Sequence, residues 1–110
     1  MEEFVKGDVV VIPFPFSDLS EVKRRPAFVV NKLAGDDAIL CQITSHTLKD
    51  KYSVPLRKAD FTKGQLSVNS NIRPNRIFTA DKSIILYKVG SVKEIKIKEV
   101  IQKIIEIVKS

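Results

Sequence analysis

The feature that most constrains the fold is the last stretch of the chain, where apolar residues recur every three or four positions. The recurring residues are Ile97, Val100, Ile101, Ile104, Ile105 and Val108. This spacing is that of one face of an amphipathic helix, so it predicts a C-terminal helix whose apolar side covers a core. Ser91 and Glu94 match a capping box, which places the helix start early, and a start near Lys96 is the alternative.

Before this helix, apolar residues occur only in short runs bounded by turn-forming residues, as is typical of β-strands. We expect strands or extended chain at about 9–12, 26–32, 38–45, 52–56, 69–77 and 84–87. Residues 13–24 are predicted to be a loop because Pro13 and Pro15 do not suit a central strand. A second loop or a helical turn is expected at 60–64, and Gly90 is expected to interrupt the pattern. The sequence therefore predicts a mainly β (α+β) fold, a small barrel or coiled sheet packed on one helix.

The charge of the chain is distributed unevenly. The net charge is +6, and residues 23–88 carry +8 whereas residues 1–22 carry −4 and residues 89–110 carry +2. A basic excess in the strand-rich part of the chain favours a nucleic-acid partner. The alternative is that the lysines and arginines serve solubility alone.

Length and composition indicate one soluble domain, residues 1–110, in the cytoplasm. No apolar stretch approaches the roughly 20 residues that span a bilayer, so no membrane partner is expected. The start Met1-Glu2-Glu3 lacks the features of a signal peptide. The lone Cys41 lies in an apolar run and is expected to be a core residue.

Basic and hydroxyl residues flank two neighbouring apolar runs. Arg24 and Arg25 precede Pro26 at the start of one run, and the next run ends in Thr44-Ser45-His46. If the two runs are adjacent strands, a guanidinium and a hydroxyl lie near one edge of the sheet. Arginine suits phosphate because it is always charged and offers a planar fork of donors. A later polar segment adds further candidates for the same site, which are Arg73, Asn75 and Arg76.

Most enzyme classes do not fit these residues. One histidine and one cysteine do not make a zinc cluster, no glycine-rich phosphate loop is present, and Ser45 is not in a nucleophile elbow. RNA cleavage remains, because the 2′-hydroxyl of the substrate is itself the nucleophile. Phe14 and Phe16 would then stack on unpaired bases. The alternative is structural: solvated arginines, hydroxyls that end a strand, a surface His46, and phenylalanines that close the barrel.

Several short motifs occur together in a familiar order. They are Lys6-Gly7-Asp8-Val9-Val10, Pro13-Phe14-Pro15-Phe16-Ser17-Asp18, Arg24-Arg25-Pro26-Ala27, Cys41-Gln42-Ile43-Thr44-Ser45, Arg73-Pro74 and Phe78-Thr79-Ala80-Asp81-Lys82-Ser83. Together they resemble the MazF/PemK (Kid) family of growth-inhibitor toxins from toxin–antitoxin systems. The resemblance implies an SH3-like β-barrel with a C-terminal helix (CcdB/MazF-type), assembled as a homodimer. It also implies a metal-independent endoribonuclease without cofactors, neutralised by a cognate antitoxin protein. Such enzymes cut single-stranded RNA, often mRNA, at short sequences and leave a 2′,3′-cyclic phosphate (or 3′-phosphate) and a 5′-hydroxyl.

By this resemblance, the catalytic residues are Arg25 and Thr44. The substrate-binding set is Phe16, Ser17, Arg24, Ser45, His46, Arg73, Asn75 and Arg76. The Kid branch pairs its arginine with an aspartate two residues later, where this chain has Asn75. The histidine that the same branch places in its first loop falls near Leu19. We therefore expect the MazF-type pair to act, with Arg73 assisting.

Two other functions are compatible with a related fold. One is a CcdB-like toxin that poisons gyrase, although such toxins use a C-terminal tryptophan motif and this chain contains no tryptophan. The other is a non-catalytic RNA- or peptide-binding barrel, which predicts salt-dependent binding without a cleavage product.

Overall fold

The computed structural model describes residues 3–14 and 23–110. Seven strands precede a single α-helix within these ranges. The strands are β1 (Asp8–Phe14), β2 (Lys23–Lys32), β3 (Asp37–Thr44), β4 (Val54–Leu56), β5 (Phe61–Gly64), β6 (Ser70–Asp81) and β7 (Tyr87–Val92), and the helix α1 is Glu94–Lys109. Two short 3₁₀ turns lie at Lys58–Asp60 and Lys82–Ile84.

The seven strands form one antiparallel sheet in the order β4-β6-β3-β2-β1-β7-β5. The short strands β4 and β5 are its two edges and do not pair with each other. The sheet is therefore a half-barrel and not a closed ring. This architecture confirms the predicted mainly β fold with a C-terminal helix. Among the described residues, no helix is long and apolar enough to cross a membrane.

The two faces of the sheet bury two separate apolar clusters, because successive side chains of a strand point to opposite faces. The larger cluster holds Val9, Phe28 and Cys41, and helix α1 covers it with Ile97 and Val100. The smaller cluster is formed by the alternate positions, which include Val10, Ile12, Ala27, Val29, Leu40 and Ile85. The predicted core position of Cys41 is confirmed, since its side chain is fully buried. Beyond the apolar residues of the smaller cluster, the same face of β3 carries the polar residues Gln42 and Thr44.

The predicted loop at 13–24 is too long at both ends. Pro13 lies in β1 opposite Arg24 of β2, and Phe14 lies opposite Lys23. On its other side β1 pairs with β7 only as far as Val11. Pro13 therefore stands where one edge of the strand is unpaired among the described residues, which is where a strand tolerates proline.

Other strand boundaries also differ from the prediction. Residues 61–64, expected as a loop or turn, form β5, and the apolar run at 84–87 begins its strand only at Tyr87. Gly90, expected as an interruption, is buried inside β7. A Cβ atom on Gly90 would meet the carbonyl oxygen of Lys63 on β5, so the residue permits close strand contact and does not end the strand.

The helix begins at Glu94, between the two expected starts, and Lys93 is its N-cap residue. The predicted capping box at Ser91 is wrong, because Ser91 lies in β7 and its hydroxyl donates to Asp8 Oδ1 at 2.8 Å. Asp8 is almost completely buried, and it also accepts from the backbone N–H of Val5 at 2.8 Å. Lys88 Nζ also forms an ion pair with Asp8 Oδ2 at 3.2 Å. The hydroxyl of Ser91 therefore hydrogen-bonds the buried carboxylate of Asp8 on the neighbouring strand and does not cap the helix.

Candidate active site

The strand register brings Arg25 and Thr44 together. Strands β2 and β3 pair with Ala27 opposite Gln42. Continuing this register by two residues places Arg25 opposite Thr44, the last residue of β3. Because directly opposed residues of an antiparallel pair project to the same face, both side chains lie on the face opposite the helix. Arg25 is exposed and Thr44 is half-buried.

An open pocket with about 540 Å³ of empty space lies at this end of the sheet. Its lining comes from β1, β2, β3, β6 and the turn after β3. The lining residues are Ile12, Arg25, Pro26, Ala27, Gln42, Ile43, Thr44, His46 and Arg73. Four of the residues proposed from the sequence therefore share one pocket, and they are Arg25, Thr44, His46 and Arg73.

The hydroxyl of Thr44 is held by the turn that follows it. The backbone N–H of His46 donates to Thr44 Oγ1 at 3.2 Å. The side-chain amide of Asn71 in turn donates to the carbonyl oxygen of His46 at 3.1 Å. Since Thr44 Oγ1 already accepts a hydrogen bond, its own proton is available to another acceptor in the pocket.

Arg73 reaches the pocket from β6 at the start of an irregular stretch of that strand. Arg73 is opposite Gln42, but the next paired residue on β3, Cys41, is opposite Ile77. Residues 74–76 therefore bulge out of the ladder, as expected at Pro74, which has no N–H to donate. Such bulges redirect the side chains beside them, and this one lies next to the pocket.

Two polar atoms beside this bulge are buried and unpaired. Within the described part of the chain, Arg73 Nε and Asn75 Oδ1 have no hydrogen-bond partner. A buried donor without a partner costs about 1–3 kcal/mol, so such atoms commonly mark a site for a ligand or water. Asn75 does not line the pocket itself, and Arg76 is exposed outside it.

The described lining of the pocket carries the positive charge of two arginines and no negative charge. Among the described residues, no carboxylate lies within ion-pair distance of Arg25 or Arg73, and none lines the pocket. A more distant carboxylate, Asp50, has its pKa lowered by the backbone N–H groups of Ser53 and Tyr52, with a smaller contribution from the charge of Arg73. Two unpaired guanidinium groups in one concave site attract an anion.

Two further proposed residues, Arg24 and Ser45, do not line the pocket. Arg24 is exposed on β2, and strand alternation directs it to the face opposite Arg25. Ser45 is exposed in the turn after β3. Phe16 and Ser17 lie outside the described residues, as does Leu19, and so do the phenylalanine stacking contacts expected in this loop.

Sequence reasoning missed two polar residues of this region, Gln42 and Asn71. Gln42 lines the pocket between Ala27 and Arg73, its partners in the sheet. It is the one polar residue within the apolar run at 38–43, and this departure from the apolar pattern could have identified Gln42 as a site residue. Asn71 had no comparable signal, because its importance depends on the register between β3 and β6.

The described residues form a small antiparallel half-barrel with a basic pocket at one end of its sheet, and no described carboxylate lines that pocket. The sequence model for PemK-like, MazF-like toxins of type II toxin–antitoxin systems matches residues 5–108. The chain therefore belongs to this family. None of the curated proteins searched matches the chain.

Solved structures support the same fold. MazF from Deinococcus radiodurans has 18% sequence identity and a TM-score of 0.78, with 100% of each chain covered. A MazE–MazF structure from the same organism has 19% identity and a TM-score of 0.77 over 96% of this chain and 95% of the other. An endoribonuclease in complex with its cognate antitoxin from Mycobacterial species has 12% identity and a TM-score of 0.72, covering 97% and 96%. At these identities the similarity establishes the fold.

Proposed function

We propose that this protein is a metal-independent endoribonuclease toxin that cuts single-stranded RNA, including mRNA, at short sequences. One observation carries the proposal: Arg25, Thr44, His46 and Arg73 line one pocket that no described carboxylate neutralises. Membership of the PemK-like, MazF-like toxin family supports it. Further support comes from solved proteins of the same fold that are endoribonucleases.

In the proposed reaction, the 2′-hydroxyl oxygen of the substrate attacks the adjacent phosphorus, and the bond from phosphorus to the 5′-oxygen breaks. The products are a 2′,3′-cyclic phosphate and a 5′-hydroxyl, and later addition of water opens the cyclic product to a 3′-phosphate. Arg25 stabilises the extra negative charge of the phosphorane, and Arg73 assists it. The hydroxyl of Thr44 donates a hydrogen bond to a phosphate oxygen and so positions the reacting group.

Two protons must also move. The 2′-hydroxyl loses one to a base, and the leaving 5′-oxygen gains one from an acid. We assign the second role to His46, because this residue lines the pocket and an imidazolium can donate a proton to a leaving oxygen. His46→Gln should then slow cleavage in single-turnover measurements, and an unchanged rate would reject this assignment.

The direct test is incubation of the purified protein with long single-stranded RNA in EDTA, followed by chemical mapping of the ends. We expect 5′-hydroxyl ends and 2′,3′-cyclic phosphates, and we expect Arg25→Ala and Thr44→Val to lower the rate by at least about a hundredfold. Lys98→Met is the control, because Lys98 is exposed on the helix across the sheet from the pocket. Intact RNA, or cleavage that Arg25→Ala does not slow, would contradict the proposal. Salt-dependent binding without product would instead indicate a binding barrel.

We further propose that the protein acts in the cytoplasm as a homodimer and is neutralised by an acidic antitoxin segment. Solved MazE–MazF complexes of the same fold support the antitoxin. Membership of the PemK-like, MazF-like toxin family supports the homodimer. Light scattering of the purified protein tests the dimer, since a monomer at micromolar concentration would contradict it.

A further inference from the structure

The turn after β3 carries part of the candidate site, yet the sheet ladder does not hold it. Thr44 is the last residue of β3, and β4 begins only at Val54. Ser45 and His46 therefore lie in a nine-residue connection whose backbone does not pair with a neighbouring strand. The ladder with β6 holds the backbone of Thr44 itself, but His46 keeps its position against the Thr44 hydroxyl only if another contact fixes the connection.

The side chain of Asn71 anchors this segment to the sheet. Asn71 lies on β6 directly opposite Thr44, and its other neighbour in the sheet is Pro55 of β4. Its backbone is thus held between two strands. From this fixed position its Nδ2 donates to the carbonyl oxygen of His46 at 3.1 Å, across 25 residues of sequence.

The second contact completes a chain of hydrogen bonds that ends at the hydroxyl of Thr44. The N–H of His46 donates to Thr44 Oγ1 at 3.2 Å, so His46 is held at its carbonyl by Asn71 and at its N–H by Thr44. A donor on Oγ1 restricts the rotation of the hydroxyl, whose proton must then point away from the turn. His46, the residue restrained in this way, is itself part of the pocket lining.

We propose that Asn71 is a positioning residue of the active site, which fixes His46 and through it the direction of the Thr44 hydroxyl. This inference rests on the proposed function only for its effect on catalysis. Asn71 does not line the pocket, so it acts through Thr44 and His46 and not by contact with RNA.

The positioning role predicts a particular kinetic signature. Attraction of the substrate by Arg25 and Arg73 is electrostatic and tolerates a small displacement of the turn. Hydrogen bonding by Thr44 is short-ranged and directional, so the same displacement weakens it. We therefore expect Asn71→Leu, which keeps the branched shape but removes the donor, to lower kcat by about ten- to a hundredfold. KM should stay within about twofold of the wild-type value.

The experiment is a double-mutant cycle measured by single-turnover cleavage with enzyme in excess. It compares the wild type, Asn71→Leu, Thr44→Val and the double variant, with Asn69→Leu as a control at an exposed asparagine of the preceding loop. If Asn71 acts through Thr44, its substitution should cost much less in the Thr44→Val background than in the wild type. Equal costs in both backgrounds, or a rise in KM alone, would overturn the inference.

A measurement independent of cleavage separates this inference from the proposed function. Amide hydrogen exchange of His46 should become at least about tenfold faster in Asn71→Leu, while exchange in the core strands stays unchanged. Unchanged exchange at His46 would overturn the positioning role whether or not the protein cleaves RNA. Absence of cleavage by the wild type together with faster exchange would reject the proposed function alone and retain the role of Asn71 in holding the turn.

Discussion

Replacing Arg73 by methionine should weaken RNA binding without a loss of stability. Arg73 is half-buried and its Nε has no hydrogen-bond partner in the described part of the chain. The folded protein therefore carries the cost of a desolvated donor, about 1–3 kcal/mol, and gains no bond in return. Methionine fills a similar length of apolar space without that donor. We expect the free energy of unfolding of Arg73→Met to stay unchanged or to rise by about 1 kcal/mol.

The same substitution should cost affinity for RNA. A hydrogen bond between charged groups contributes about 1.5–3 kcal/mol, which corresponds to an increase of about ten- to 150-fold in Kd. Loss of one phosphate contact should also make the slope of log affinity against log salt shallower by about 0.7. The opposite signs of the two effects identify a residue that serves a ligand and not the fold.

Urea unfolding measures the first effect, and fluorescence anisotropy with labelled 2′-O-methyl RNA of mixed sequence measures the second. The 2′-O-methyl group removes the nucleophile, so binding is observed without cleavage. Lys98→Met changes the net charge equally on the helix side of the sheet and should alter affinity by less than about threefold. A stability loss above about 1 kcal/mol with unchanged RNA affinity would show that Arg73 stabilises the fold and does not bind RNA.

Three further predictions concern the scaffold. Lys88→Met should lower the unfolding free energy in urea by about 3 kcal/mol, because it leaves the buried carboxylate of Asp8 without its charged partner, and a loss below about 1 kcal/mol would contradict this. Burial raises the pKa of the Cys41 thiol from 9.0 to about 12, so below pH 9 the thiol is neutral in both the folded and the unfolded state. Between pH 9 and 12 the unfolded state ionises first, and the unfolding free energy therefore falls as the pH rises. At pH 10.5 that loss is about 2 kcal/mol. The alkaline fall in unfolding free energy should therefore be shallower in Cys41→Ala, and equal slopes would argue against it. Gly64→Ala should lower Tm more than Gly35→Ala: both glycines have positive φ, but only at Gly64 would a Cβ meet a backbone carbonyl. Equal shifts in Tm would show that the backbone moves away from the added Cβ atom at Gly64 without loss of stability.

The helix and most strands were predictable because their signals are local. The isoleucine pattern of the last segment is a property of helical geometry, and it identified α1 to within a few residues. Strand ends were less accurate, since they depend on neighbours. Ser91 matched a helix cap in sequence, yet a buried carboxylate on another strand takes its hydroxyl. Gly90 matched a break, yet the close approach of β5 makes glycine necessary inside the strand.

A mainly β chain with one amphipathic helix, a basic middle segment, and an arginine and a hydroxyl at the ends of two apolar runs can all be read from residue types and their spacing. Which of these groups come into contact depends on how the strands pair in three dimensions. Register placed Arg25 and Thr44 on one face, the bulge at Pro74 set the course of β6 beside Arg73, and the pairing of β3 with β6 brought Asn71 to the turn. The physical reason is that residue types and periodicity are local properties, whereas register and bulges depend on strands distant in sequence.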